Sequence, residues 1–285
     1  MRIVAATDFS TRSNRALRQA GLLAKGAGGE LDIVHVVDDD RPPQMLDMET
    51  RQAEHILTEQ IQVIAELGGI RCRPVVVVGD PFDGILRSAA AIKPELIVMG
   101  QHRRQLLRDI LVGTTIERVV RGGPFPVLMV NNEAQHRYER VLVAVDMSET
   151  SAQAILAARR ARLLEVRPTL LHAFHAPAKG KMMIGDAKPS AIAEYVAKKR
   201  HQARSALTAF LAAHGLQNVQ WPMLVEEGSA SEVIARTVRE MRPDLLVVGT
   251  RGRSKLLNVL IGSVTEECLR SFDVDILAVP PQQMA

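Results

Sequence analysis

The feature that most constrains the fold of this chain is an internal repeat. The stretch RIVAATDFS (residues 2–10) returns as RVLVAVDMS (residues 140–148). In the same way KPELIVMG (residues 93–100) returns as RPDLLVVG (residues 242–249), 149 residues later. A chain that repeats itself at a long, fixed interval folds as repeated structural units. The repeat therefore predicts two copies of one domain.

The boundary between the copies is indicated by a polar stretch. NNEAQHR (residues 131–137) follows the last apolar run of the first copy, and the second copy begins near Tyr138. We expect an N-terminal domain at residues 1–132 and a C-terminal domain at residues 138–285. Both lengths are close to the common size of a single domain, about 100–150 residues.

Each copy alternates short β-branched runs with longer helical patterns. In the first copy we expect strands at RIVAAT, LDIVHVV, VVVV (75–78), ELIVMG and PVLMV (126–130), with a helix at residues 48–67. Strands that are apolar nearly throughout are typical of a parallel sheet covered on both faces. The predicted fold class is therefore α/β, with two tandem doubly wound domains. Each would be a five-stranded parallel sheet flanked by helices, in a Rossmann-like arrangement.

Several helix starts are indicated by capping residues. Asp80-Pro81 combines a capping side chain with a proline at the first helical position. Thr114-x-x-Glu117 and Ser263-x-x-Glu266 both match the capping-box pattern. The second copy has a longer segment between its second and third strands. We expect its first part, APAKGKMMIGDAKP, to be flexible and to precede an alanine-rich helix.

The composition argues against several classes of protein. The net charge is +4, but the basic residues are scattered in short groups and aromatic residues make up only 3%, too few for a base-stacking nucleic-acid surface. No apolar run reaches the roughly 20 residues of a membrane span, and MRIVAATDFS lacks the layout of a signal peptide. We expect a cytoplasmic protein with no membrane contact, in which Cys72 and Cys268 are buried, reduced thiols.

The candidate site residues follow the strands of the second copy. In open parallel sheets, ligands bind beyond the carboxyl ends of the strands. Asp146 follows the first strand, and Gly249 and Gly252 bracket a turn after the fourth. Gly262-Ser263 then begins a helix, whose N–H groups and positive dipole end suit a phosphate. Positive charge in the same loop comes from Arg251, Arg253 and Lys255. This combination favours a nucleotide polyphosphate.

The spacing Gly249-x2-Gly252-x9-Gly262-Ser263, after an early Val-Asp-x-Ser, resembles the ATP-binding signature of the universal stress protein family. The resemblance extends over both copies and implies a tandem universal stress protein with domains of the adenine nucleotide alpha hydrolase type. It implies that such domains pair through their last strands, here within one chain, with a homodimer left open. It also implies binding of ATP, with or without Mg²⁺, by a stress-response module whose protein partners are unknown. The residues carried over are Val145, Asp146 and Ala173 for adenine, and Gly249, Gly252, Gly262, Ser263 and the backbone of Val264 and Thr265 for ribose and phosphates.

The first copy departs from this signature, because Arg103 stands where the second copy has Gly252. The remaining pattern is kept at Asp8, Val36, Gly100, Gly113 and Thr114. Either the first copy is a structural partner with lost or weakened binding, or Arg103 with His102 and Arg104 binds an anion directly.

Other functions find less support in the sequence. His172 and His175 resemble a metal pair, but on a strand their side chains would point to opposite faces, and His172 recurs as His35. We therefore expect no metal site, and we identify no catalytic residue. Two alternatives stay open. One is an enzyme with slow ATP hydrolysis or nucleotidyl transfer, and the other is a nucleotide-free structural adaptor.

Overall fold

The computed structural model describes residues 1–40, 42–101, 114–134, 136–217, 220–252 and 261–281. Strands and helices alternate in both halves. The strands are β1 (Arg2–Ala6), β2 (Glu30–Val37), β3 (Arg71–Val78), β4 (Leu96–Gly100), β5 (Val127–Val130), β6 (Val141–Ala144), β7 (Thr169–Phe174), β8 (Met223–Glu227), β9 (Leu245–Gly249) and β10 (Asp275–Val279). The helices are α1 (Thr11–Ala27), α2 (Pro43–Val63), α3 (Pro81–Ile92), α4 (Thr115–Gly122), α5 (Glu149–Arg160), α6 (Ala178–Ile184), α7 (Pro189–Ala213), α8 (Ala230–Met241) and α9 (Ser263–Ser271).

All ten strands lie in one sheet, in the order β3-β2-β1-β4-β5-β10-β9-β6-β7-β8. Neighbouring strands are parallel within each half, so the predicted five-stranded parallel sheets are confirmed. The halves meet where β5 pairs antiparallel with β10, with Met129 opposite Ile276. Because this junction is antiparallel, the carboxyl ends of the parallel strands point to one end of the sheet in the first half and to the opposite end in the second.

Helices cover both faces of the sheet. One apolar core joins α1, α2, α5 and α7 to one face, and the other joins α3, α4, α8 and α9 to the opposite face. Successive residues of a strand point to opposite faces, so Ile3 packs into the first core and Val4 into the second. Both side chains are fully buried. In the part of the chain that the structure describes, no helix combines the length and apolar character needed to cross a bilayer.

Several element boundaries differ from the predicted ones. Helix α2 begins at Pro43 rather than at residue 48, and a 3-10 turn at Ala65–Leu67 follows it. Strand β3 begins at Arg71, four residues before the apolar run that marked it. The segment expected to be flexible contains helix α6. Lys179 of this helix contacts Glu227 at the end of β8 across 2.8 Å, which holds the helix against the sheet.

The cysteines were predicted to be buried, and this is correct for only one of them. Cys268 is buried on α9, and burial raises the pKa of its thiol to about 12. Cys72 is only half-buried, because β3 is an edge strand of the sheet. Burial still raises the pKa of the Cys72 thiol.

A buried carboxylate joins the linker to the start of β10. Asp275 is 3% exposed. Its Oδ1 atom accepts the backbone N–H groups of Asn131 and Asn132 at 2.8 and 3.0 Å. Its Oδ2 atom accepts the hydroxyl of Tyr138 at 2.7 Å. Burial raises the pKa of Tyr138 well above its usual value, which keeps this hydroxyl protonated as the donor. The network connects groups separated by more than a hundred residues.

Candidate functional site

The second half contains a cavity of about 220 Å³ at the carboxyl ends of β6, β7 and β9. All nine site residues predicted for this half line it: Val145, Asp146, Ala173, Gly249, Gly252, Gly262, Ser263, Val264 and Thr265. They come from four separate stretches of the chain. The sequence therefore identified residues that the fold brings together around one space.

Asp146 is positioned by the turn that leads from β6 into α5. Its Oδ1 atom accepts the backbone N–H of Ser148 at 2.9 Å, and Ser148 caps α5. The preceding carbonyl, of Val145, lies 2.7 Å from Nδ1 of His172. A carbonyl oxygen only accepts, so Nδ1 carries the hydrogen in this bond. His35 makes the same bond to Thr7 in the first half at 2.9 Å, which confirms the repeated structural role.

Two glycines of the loop, Gly249 and Gly252, differ in what surrounds them. A Cβ atom on Gly249 would lie 3.0 Å from the backbone carbon of Thr150, so packing against α5 requires glycine there. Gly100 faces the backbone of Arg12 in the same way, at 2.5 Å. At Gly252 the one close neighbour in the described part of the chain is Oδ2 of Asp146, at 3.0 Å. Among the described residues, backbone packing therefore does not require glycine at position 252, which lines the cavity.

Helix α9 begins without a side-chain cap. Its N-cap residue is Gly262, whose N–H donates to the carbonyl of Thr250 at 2.6 Å. The capping box predicted at Ser263 is therefore wrong: the helix starts one residue earlier, and Glu266 pairs with Arg270 at 2.8 Å instead. Thr265 fixes the helix by donating its hydroxyl to the carbonyl of Gly249 at 2.9 Å. The N–H groups of Ser263, Val264 and Thr265 have no intrahelical acceptor.

The first half has a matching cavity of about 170 Å³. Asp8, Val36 and Gly100 line it as predicted. Thr114 was predicted as well but does not line it; the next residue, Thr115, does. Gly113 lies outside the described residues. Val36 is larger than its counterpart Ala173, and Gly84 makes the space: a Cβ there would lie 2.8 Å from both Val36 methyl carbons. Burial alone would raise the pKa of Asp8, but hydrogen bonds from Ser10 and Ser13 outweigh it and lower the pKa.

Among the described residues, the two halves differ at the start of the helix that follows the glycine loop. In the first half Thr114 is the N-cap of α4, and the predicted capping box is confirmed. The N–H of Thr114 donates to Oε2 of Glu117 at 3.1 Å, and the N–H of Glu117 donates to the Thr114 hydroxyl at 3.3 Å. Glu117 is 1% exposed and pairs with Arg270 of the second half at 2.7 Å. The N-cap N–H is thus bonded in both halves, to Glu117 in the first and to the carbonyl of Thr250 in the second. Only the first half adds a side-chain cap, which takes up the N–H at the third helical position.

The capping difference predicts unequal effects of two equivalent substitutions. Thr114→Ala removes a working N-cap and should lower the free energy of unfolding by about 1 kcal/mol. Ser263→Ala should change it by less than about 0.5 kcal/mol, because Ser263 is exposed and lies inside the helix. Urea denaturation followed by circular dichroism measures both values. Equal losses for the two variants would contradict the assigned helix starts.

Some lining residues were missed from the sequence. Ala230 and Ile234 of α8 line the second cavity, as Pro81 and Ile85 of α3 line the first. A signal for them existed, because the helix after the third strand also begins at the carboxyl end of the sheet. Five residues expected to add positive charge near an anion lie outside the described residues: His102, Arg103, Arg104, Arg253 and Lys255. Arg251 is exposed, and its carbonyl accepts the Ser148 hydroxyl at 3.4 Å.

Several known proteins are similar to this chain. Universal stress protein E of Escherichia coli is 23% identical over 71% of this chain and 66% of its own. A solved universal stress protein of Archaeoglobus fulgidus superposes with a TM-score of 0.72 at 20% identity, over 98% of both chains. A universal stress protein solved in complex with cAMP is 25% identical, with a TM-score of 0.40, over 46% of this chain and 96% of that one. The sequence model of the universal stress protein family matches residues 1–131 and again residues 137–280. The chain therefore belongs to the universal stress protein family and contains that domain twice.

Proposed function

We propose that the second half binds ATP and that the protein acts as a nucleotide-dependent regulatory module in the stress response. The observation that carries the proposal is the uncapped start of α9. Three successive N–H groups, from Ser263 to Thr265, begin a helix that borders the cavity. Such a helix start binds phosphate through its free donors and its positive dipole end.

The rest of the cavity suits a nucleoside. Leu171, Ala173 and Ile234 give one side of it an apolar lining on which a base can pack. The carboxylate of Asp146 lies at the same cavity, near Gly252, where its oxygens can accept hydrogen bonds from the adenine amino group or from ribose hydroxyls. The arrangement favours a ligand with a base at one end, a sugar in the middle and phosphates at the helix.

We further propose that the first half is a structural partner with weak nucleotide binding or none. Its helix α4 is closed by the Thr114–Glu117 capping box, so the start of that helix offers fewer free donors to a phosphate. The junction between β5 and β10 would then pair an occupied domain with an empty one inside a single chain. We place this function in the cytoplasm, where ATP is plentiful.

Calorimetric titration of the full chain with ATP, in the presence and absence of Mg²⁺, tests the proposal. We expect a single site per chain and weaker binding of AMP, because AMP leaves part of the helix N-terminus without a partner. Two equal sites would contradict the assignment of the first half. Absence of binding, together with purified protein that carries no adenine nucleotide, would contradict the proposal as a whole.

A further inference from the structure

Two corresponding helices of the repeat carry equal and opposite charge. Helices α2 and α7 each follow the second strand of their half. The acidic helix, α2, contains four acidic residues and one basic residue: Asp47, Glu49, Glu54, Glu59 and Arg51. The basic helix, α7, contains four basic residues and one acidic residue: Lys198, Lys199, Arg200, Arg204 and Glu194. The net charges are therefore −3 and +3.

Most of each helix faces solvent. Only Ala53 and Leu57 of the acidic helix are buried, and only Leu207 and Leu211 of the basic helix. The other helices on this face, α1 and α5, bury far more of their residues. The acidic and basic helices therefore expose more of their length on this face than α1 and α5, which still expose single charged residues such as Arg18 and Arg160.

The two helices lie at opposite ends of the same face of the sheet. Leu57 and Leu207 belong to one core, so both helices are on one side. The acidic helix packs on β2 and β3 at one end of the strand order, and the basic helix packs on β7 and β8 at the other. A two-fold axis parallel to the strands would bring this face of one copy against the same face of a second copy. The β3 end of one sheet would then lie opposite the β8 end of the other. Each acidic helix would then lie opposite a basic helix of the other copy, in two equivalent contacts.

Exposed apolar side chains lie on the acidic helix and on the short helix next to the basic helix. Met45 and Met48 on the acidic helix are 39% and 60% exposed. Next to the basic helix, Met183 and Ile184 of α6 are 60% and 86% exposed. Exposed ion pairs contribute little to affinity, whereas removing apolar side chains from water is favourable. Apolar contact would therefore supply most of the affinity, and charge would set the register.

We propose that the protein forms a two-fold dimer in which the acidic helix of each copy docks on the basic helix and α6 of the other. The occupant of this surface is a second copy of the chain, because the equal and opposite net charge is found on the chain itself. An anionic polymer would match the basic helix alone and would leave the acidic helix without a role. The proposal is independent of nucleotide binding.

Sedimentation velocity of the full chain tests the association. We expect a dimer at about 50 mM NaCl whose dissociation constant rises at least about tenfold at 500 mM NaCl, because salt screens contacts between exposed charges. A monomer at both salt concentrations and at high protein concentration would overturn the proposal. Assemblies larger than a dimer would overturn its two-fold form.

Charge reversal tests the two helices directly. The Lys198→Glu/Arg200→Glu variant and the Asp47→Lys/Glu54→Lys variant should each be monomeric, since both contacts of either dimer become repulsive. Mixed together they should form a heterodimer, because both contacts are attractive again. Formation of this heterodimer, the rescue, would show that each variant is folded. The control is Arg236→Glu/Arg239→Glu on α8, on the opposite face, which should dimerise like the unaltered chain. Failure of the rescue, or a monomer that binds a DNA duplex through the basic helix, would overturn the proposal.

Discussion

Replacing Gly252 with valine is expected to weaken ATP binding about 100-fold, which corresponds to about 2.7 kcal/mol. A Cβ atom at this position would lie 3.0 Å from Oδ2 of Asp146, and the valine methyl groups would project where the sugar and phosphates approach the loop. The fold should tolerate the change, since Gly252 does not have a positive φ and its Cβ would meet no other described atom within 4 Å. Calorimetric titration measures the loss.

A matched variant separates this effect from a general one. Gly180 of α6 has nothing within 4 Å of a Cβ atom among the described residues, and it does not line the cavity. The Gly180→Val variant should keep the affinity of the unaltered chain. Gly249 is unsuitable for this purpose, because its Cβ would press on the backbone of Thr150 and unfolding would obscure binding. Unchanged affinity in the Gly252→Val variant would disprove the assigned role of the loop.

Replacing Asp275 with alanine is expected to lower the free energy of unfolding by about 3 kcal/mol. The substitution leaves two buried donors, the Asn131 N–H and the Tyr138 hydroxyl, and the part-buried N–H of Asn132 without their acceptor. Each buried donor that loses its partner costs about 1–3 kcal/mol, and part of this is recovered as water enters. Urea denaturation measures the loss.

The neighbouring Asp273 provides the control for this prediction. Its side chain is exposed, and the hydrogen bond from Asn132 goes to its backbone carbonyl, which alanine retains. The Asp273→Ala variant should therefore change the free energy of unfolding by less than about 0.5 kcal/mol. Equal losses for the two variants would show that the linker is not held by the Asp275 carboxylate.

Local signals made much of the architecture predictable. The Asp80-Pro81 pair begins α3 as expected, because capping depends on neighbours within three residues. Thr114 caps α4 for the same reason. The glycine spacing identified residues that line one cavity. The repeat showed which strands they follow, and parallel strands bring their carboxyl ends to one edge of the sheet.

Features that depend on distant contacts were not predictable. Asp275 reads as an ordinary residue before a strand, and its partners are more than a hundred residues away. Ser263 and Thr114 have the same local pattern, yet only Thr114 caps its helix, because the Gly262 N–H bonds to Thr250 and Glu266 turns to Arg270. Helix α6 contains Gly180 and is followed by Gly185 at its C-cap. Both glycines weaken any local helical signal, and the ion pair of the helix with β8 supports it.

The antiparallel junction between β5 and β10 has a consequence for how such a protein can change over time. If two identical chains met through these strands, every substitution would appear in both sites at once. In the fused chain each half has its own codons, so Glu117 can close one helix while Glu266 leaves the other open. Every chain therefore contains one site with a capped helix and one with an uncapped helix, at any protein concentration.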